Sequence, residues 1–341
     1  MISVIHKCFL ITALLTSTLL YTGSDARVIT YVHEVKFYEY RDEYYTAEQL
    51  DAMDFAGTPT FPADAREEEV LERINEYRAA AGLEPVHYVE ELARAARAHA
   101  KYLQANDPHG ISTHFEKPEN EEFVGEEPWD RACHYGYKWD DIEEVIAVGH
   151  EGAEAVDSFM ATVYHRLPFL NPVARELGHG YSYEEHRTET EDAIILRRER
   201  YTVLEVGVFY RPWAEDPLAD VEYAVYPFPG QTDVPLESLG ERPDPVPGES
   251  EIAGFPITVE FNLREPDMGV NTAVLTDSSG DEVDFWLLTY KNDPHKLLRN
   301  AVCILPKEPL EPNETYAVGI ELRLNDAATF TMDWEFTTAE E

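Results

Sequence analysis

From Asp64 onward the apolar positions fall into a helical rhythm. Val70, Ile74, Tyr77 and Ala81 recur at spacings of four, three and four and stop before Gly82. Asp64, followed three residues later by Glu67, has the form of a capping box. After "EPVHY" a second helical face gathers Leu92, Ala95, Ala96, His99 and Leu103, and His99 on it reads as a hydrogen-bonded core histidine. A polar loop is expected over 106–127, a short helix around Trp129–Tyr135, and a fourth helix from about Gly152 to Tyr164 with Ala155, Phe159, Met160 and Val163 on one face. Beyond Pro172 the period shifts toward two: "ELGHGYSY", "DAIILRRERY" and "TVLEVGVFYRPW" read as three strands, the last two pairing across Arg198–Tyr201. Helices followed by a strand meander predict an α+β fold, an α-β-α sandwich with an antiparallel sheet covered by helices.

The rest of the chain is patterned differently. Residues 214–256 are dense in Pro, Asp, Glu and Gly and are expected to be a linker. Residues 257–341 carry short strand-like runs separated by turn signals such as Ser279-Gly280-Asp281, the pattern of an all-β immunoglobulin-like sandwich. At the other end, residues 1–26 have a basic start, an apolar run and the small-x-small ending Ser24-Asp25-Ala26, the form of a secretory signal peptide. That run is too short for a membrane span, which needs about 20 residues. Residues 27–65 form an acidic, tyrosine-rich N-terminal extension, and 66–213 the helix-and-strand domain.

Charge narrows the partners. The formal net charge of −40 excludes nucleic acid, whose binding needs a basic surface. With 19 arginines against 8 lysines, the acid excess suits a protein working in high salt, which screens self-repulsion. No D-x-[DN]-x-[DN]-G calcium loop is present. Cys133 and Cys303, the two cysteines beyond the signal segment, fall in different domains and are expected to be free buried thiols.

Three segments carry candidate chemistry. In "STHFEKPENEEFVGEEPWDRACHYGY", His114 stands ahead of six glutamates within 116–127; in "DDIEEVIAVG", Glu143 and Glu144 precede an apolar run; in "TVYHRLPFLNP", His165 closes the fourth helix. Arg166 is expected to neutralise that helix's C-terminus and Pro168 to stop it. His179 in "ELGHGY" is expected on a strand near the same cleft. H-E-x-x-H and G-x-S-x-G are absent, and Ser112, two residues from His114, has no base placed for it by the sequence.

The order "VLERINEYRAAAGLEPV", "ELARAARAHAKYL", "STHFE…GEEPWDRACHYGY", "EEVIAVGHEGAEAVDSFMATVYHRLPFLNP", "ELGHGY" and "LEVGVFY" resembles secreted bacterial members of the CAP superfamily, the cysteine-rich secretory, antigen 5 and pathogenesis-related 1 (SCP-like) proteins. The resemblance covers about residues 66–213, and the tail looks like the Ig-like domain that follows CAP modules in some such proteins. It implies a cleft where histidines and acidic residues converge, with the first family histidine at His114, the second at His165, and the glutamate of the family's "GEN[IL]A" segment at Glu144. It further implies that His114, His165 and Glu144 could ligate zinc or another divalent cation; a metal-free His-Glu-His cluster is the other outcome. Glu143 and Val145 stand where the family has Gly and Asn, and no acidic residue occupies 160–162, where the eukaryotic tetrad has its second glutamate. The implied function is a secreted binding or interaction protein of the cell surface or extracellular space, whose cleft takes a small-molecule, lipid or cell-envelope ligand or a divalent metal. The alternative is a metal-dependent, peptidase-like hydrolase of extracellular or cell-wall substrates, in which a metal-bound water would give its proton to Glu144.

Overall fold

Asp64 starts the first helix, α1 (Ala65–Ala80), by accepting from the backbone N–H groups of Arg66 and Glu67 at 2.9 and 3.0 Å. The Glu67 carboxylate takes the Arg97 guanidinium at 2.9 Å. A computed structural model describes residues 60, 62, 64–107, 113–139, 141–186, 198–209, 221–249, 252–263, 267–325 and 328–340, together with the backbone of residues 187–189 and 194–197 and of two paired antiparallel strands, β1 (Ile2–Leu20) and β2 (Val28–Thr46). The side chains of the expected signal segment and most of the N-terminal extension, His109, Ser112 and the start of the linker lie outside the described residues.

The first half continues with β3 (His87–Tyr88), α2 (Glu90–Asn106), α3 (Pro128–His134), β4 (Ile142–Val148), α4 (Gly152–Met160), α5 (Leu167–Leu170), β5 (Ala174–Glu189) and β6 (Ile194–Val208). Its sheet has the order β3-β5-β6-β4, with β3 parallel to β5 and the other pairs antiparallel. Three expectations are corrected. The segments meant to pair across Arg198–Tyr201 form one continuous strand, because nothing there supplies a turn and Tyr201, Val203, Leu204, Val206 and Val208 go on burying apolar surface. The fourth helix ends at Met160, four residues earlier than expected, and Pro168 lies inside the first turn of α5, where its missing N–H costs nothing, so it opens a helix rather than stopping one.

Strand alternation divides this sheet chemically. One face carries the rungs Ile146–Val203–Gly180 and Glu144–Glu205–Gly178, and α2 lies against it. The opposite face carries Val145–Leu204–His179 and Glu143–Val206–Leu177 and shares a core with Val70 and Ile74 of α1 and Val156 and Phe159 of α4. Consecutive glutamates on β4 therefore point to different worlds.

The second half is all strand: β7 (Tyr223–Tyr226), β8 (Ile257–Phe261), β9 (Met268–Thr276), β10 (Phe285–Thr289), β11 (Ala301–Pro306), β12 (Thr315–Leu324) and β13 (Ala328–Thr337). They make two sheets, β10-β11-β8-β7 and β13-β12-β9, which meet through Val259, Phe261, Ile304, Ile320, Trp334 and Phe336 in a β-sandwich region. Residues 223–226, within the expected linker, form strand β7 of the first of these sheets. Cys303 on β11 is a buried free thiol, pushed up to about 12 by burial; Cys133 is disulfide-bonded to a partner outside the described residues, so the expectation of a free thiol there is corrected.

The two halves are bound together closely. Val163, Tyr164 and Leu167 pack with Leu298, Cys303 and Leu305, and the Tyr164 hydroxyl donates to Asp293 at 2.6 Å. Arg166, expected at a helix C-terminus, instead donates to the Pro256 carbonyl at 2.5 Å and lies against the Tyr226 and Phe255 rings at 5.0 and 4.7 Å. Glu143 faces this junction. Its Oε2 is out of solvent and finds no hydrogen-bond donor among the described residues, and burial, aided by Asp141, pushes its carboxyl up to about 7 against the opposing pull of Arg299 and Asn171. Glu260 of β8 is pushed up by burial and by Glu143.

A carboxyl whose folded pKa lies above its unfolded value of 4.5 contributes stability that is full below 4.5 and lost as pH rises toward about 7. Glu143→Gln is therefore expected to match the parent at pH 4 and to exceed it at pH 8 by about 1–3 kcal/mol, the range allowing for the residue's partial exposure. Urea unfolding at both pH values checks this; equal differences at the two would show that Glu143 is not held protonated.

Candidate functional site

His114, Glu144 and His165 do not meet as one cluster. The structure brings the first two together and holds the third elsewhere. Glu144 enters from β4 on the face covered by α2, where its Oε1 accepts from His114 Nδ1 at 2.7 Å and its Oε2 from the Arg131 guanidinium of α3 at 2.6 Å. Its side chain is 1% exposed, whereas that of His114 is 41% exposed, so a buried carboxylate orients an imidazole at the surface. Nε2 of His114 makes no hydrogen bond among the described residues, and in the tautomer whose Nδ1 donates to the carboxylate a neutral ring would present Nε2 as an acceptor.

Around this pair lies a network that pattern reading did not assemble. His99, one turn along α2 from Ala96, is fully buried; its Nδ1 meets Glu116 Oε1 at 2.9 Å and its Nε2 the Thr113 carbonyl at 2.8 Å. The core-histidine expectation describes this satisfied ring, but the ring also stands 3.8 Å from Glu144. Glu116 pins the long acidic loop through its other oxygen, which accepts from Val124 N at 2.8 Å. Arg131 donates to the His114 carbonyl at 3.1 Å as well as to Glu144, and its Nε lies 3.8 Å from Glu116. Glu205, the cross-strand neighbour of Glu144, is fully buried with no donor to either oxygen among the described residues.

The charges sort by partner. Burial would raise the Glu144 carboxyl, but Arg131, then His99 and His114, outweigh burial and hold it well below the usual range. Burial, with the adjacent Glu144, drives Glu205 the other way, well above it. The Arg131 guanidinium is held in its charged form by Glu144, Glu205 and Glu116 against the cost of burial. The rung thus pairs an ionised Glu144 with a Glu205 that favours its proton, the arrangement expected of adjacent buried carboxylates.

His165 sits in the turn after α4. Its Nδ1 meets Glu241 of the proline-rich connector at 2.9 Å, and its ring stacks on Phe159 with centroids 5.7 Å apart. His179 is buried between the two strand glycines, its nitrogens without hydrogen-bond partners among the described residues and its pKa pushed down to about 4 by burial. Among the described residues no three His, Cys, Asp or Glu side chains are grouped so as to hold a metal ion, and both oxygens of Glu144 already accept from Arg131 and His114. No described helix is long and apolar enough to cross a membrane.

Glu116, Arg131, Glu205 and Glu241 are the residues the sequence did not single out. One signal was present for Glu205: a carboxylate inside the apolar strand run "TVLEVGVF" implies a buried partner.

Residues 71–203 match the sequence model of CAP, the Cysteine-rich secretory protein family. None of the curated proteins matches the chain. Among solved structures, an outer surface protein from Borrelia burgdorferi is similar over 45% of this chain and 99% of its own, at 20% identity and a TM-score of 0.32. CopC from Methylosinus trichosporium OB3b is similar over 34% of this chain and 88% of its own, at 13% identity and a TM-score of 0.22. PcoC, a methionine-rich copper resistance protein from Escherichia coli, is similar over 33% of this chain and 92% of its own, at 19% identity and a TM-score of 0.22.

Proposed function

With residues 71–203 forming a CAP domain, we propose that the chain is an interaction protein of the extracellular space or cell surface, and that His114 is the recognition group of its cleft. The observation that carries this reading is the His114–Glu144 pair: a 2.7 Å hydrogen bond to a buried, Arg131-held carboxylate fixes the ring and leaves Nε2 as an outward acceptor. Such a nitrogen takes a hydrogen-bond donor of a small-molecule, lipid or cell-envelope ligand, or a single coordination position of a divalent cation. The β-sandwich region is, in this reading, an Ig-like module that presents the CAP domain or adds adhesive surface.

The engagement of both Glu144 oxygens favours binding over hydrolysis. A general base needs a free oxygen facing the water it activates, and Glu144 has neither oxygen free nor exposure to water.

Zinc chloride, used as a probe of free imidazole, tests the assignment by calorimetric titration of the parent, His114→Ala and His165→Ala. Loss of about tenfold or more in affinity is expected for His114→Ala, with His165→Ala within about twofold of the parent. Equal losses in both variants would restore a two-histidine centre and sink the one-histidine reading.

A further inference from the structure

The turn that follows α4 holds a second, separately built site. After Met160 the helical hydrogen bonding stops, and the backbone N–H groups of Val163 and Tyr164 point together with His165 Nδ1 at one carboxylate. Glu241 Oε1 accepts from Val163 N at 2.6 Å and from Tyr164 N at 3.3 Å; its Oε2 accepts from Tyr164 N at 3.0 Å and from His165 Nδ1 at 2.9 Å. Two consecutive backbone N–H groups and a ring nitrogen thus match the two oxygens of a planar carboxylate, the geometry of a backbone nest with a side-chain donor added. The site is dry: the Glu241 side chain is 2% exposed and that of His165 15%. Phe159 stacks on the imidazole, Tyr164 is fixed by Asp293, and the buried cation Arg166 adds a favourable field at Glu241.

We propose that residues Val163–His165 form a carboxylate-binding nest that Glu241 fills in cis, latching the proline-rich connector onto the CAP domain and withdrawing the second histidine from the cleft. The connector is secured beside the latch by Leu239 N donating to the Ala161 carbonyl at 2.9 Å, and through Ser238 N to Ala253 at 2.9 Å it carries the hold into the chain that enters β8. Without Glu241, two buried N–H groups lose their acceptors, which is a larger penalty than the loss of a solvent-exposed ion pair. The ligand class is set by the donors: a carboxylate, supplied by the chain's own Glu241 or, once that side chain is displaced, by the carboxylate of another molecule. Both sources satisfy the same three donors. The inference stands independently of His114.

Short carboxylates separate the two sources. The full chain is compared with Glu241→Ala, Glu241→Ala/His165→Ala and the shape-conserving Glu241→Gln, each titrated with sodium acetate or propionate at constant ionic strength, with acetamide as the uncharged control. The readouts are Tm and the amide shifts of Val163 and Tyr164. Glu241→Ala is expected to lower Tm by roughly 5–10 °C and to move both amides upfield. Acetate or propionate should then restore them saturably, and acetamide should not. The double variant should be restored at least about tenfold less effectively. The parent should not respond, since its nest is full; a saturable response in the parent at the same amides would overturn occupancy by Glu241. Amides unmoved in Glu241→Gln, or acetate without effect in Glu241→Ala, would overturn the nest. If Glu241→Ala does not fold, Glu241→Gln decides the matter through the amide shifts alone. His114 shifts serve as the internal reference, because failure of the nest leaves them unchanged whereas failure of the cleft reading does not touch Val163 and Tyr164.

Discussion

Gly180→Ala is expected to destabilise the chain by more than about 4 kcal/mol, beyond the usual range for overpacking. A Cβ at this position of β5 would lie 2.1 Å from the Ala96 carbonyl carbon, 2.2 Å from its oxygen and 2.3 Å from Arg97 N. These are backbone atoms of α2, so no rotamer change relieves the clash; the helix must rise off the sheet as a body. Two residues earlier Gly178 makes the same approach, with a Cβ position 2.2 Å from the Leu92 carbonyl carbon and 2.3 Å from Ala93 N. Lifting α2 would open the packing of Ala96, Ala100 and Leu103 on Ile146 and Val203. It would also carry His99 away from Glu116 and Glu144, so the same substitution should loosen the His114 site. Gly240→Ala is the control: a Cβ there meets no atom within 4 Å, and the change should stay within about 0.5 kcal/mol. Urea unfolding followed by circular dichroism measures both. A Gly180→Ala midpoint equal to the parent's would mean that the helix does not rest on the strand backbone.

What the sequence disclosed and what it withheld divide along a physical line. Helices 65–80 and 90–106 were legible because their signals are local, apolar spacing for both and a capping aspartate for the first. The glycines of "ELGHGY" were visible as glycines in a strand, but which element presses on them depends on the sheet face, which local pattern does not specify. Pro168 was misread because a proline both ends one helix and opens the next, and only the early end of α4 decides between them. Glu144 and His114 were reached through family resemblance, whereas Arg131 and Glu205 join them through helix docking and strand register, neither of which spacing encodes. His165 and Glu241 are 76 residues apart, so the resemblance supplied the histidine and nothing in the sequence supplied its partner.

Arg131→Met should cost about 3–5 kcal/mol at neutral pH, because it removes the guanidinium that offsets the buried carboxylates Glu144, Glu205 and Glu116. Arg131 is fully buried, donates to Glu144 at 2.6 Å, and is the largest influence opposing burial at that carboxyl. The sign of the pH dependence distinguishes a charge effect from a packing effect. In the parent, the folded Glu144 carboxyl titrates below its unfolded value of 4.5, so its contribution is present above 4.5 and is lost as pH falls through the folded value. Glu205, raised, works in the opposite sense: its contribution is full below 4.5 and lost as pH rises. Without Arg131, Glu144 joins Glu205 among carboxyls that favour the proton. The penalty of Arg131→Met should then shrink as pH is lowered from 7 toward 4, where both carboxyls can be neutral in the folded state. Adding Glu144→Gln to Arg131→Met should return a substantial part of the lost stability, because the stranded charge is gone, and a double-mutant cycle at pH 7 measures the coupling directly. If Arg131→Met costs the same at pH 4 and pH 7, and the second substitution returns nothing, Arg131 is holding the loop at His114 through its backbone contacts and not balancing charge. Since His114 owes its orientation to Glu144, the charge outcome also predicts that Arg131→Met alters zinc-probe binding at His114 while leaving the Val163–His165 turn, which follows α4 and contacts neither Arg131 nor Glu144 in any hydrogen bond among the described residues, with unchanged amide shifts.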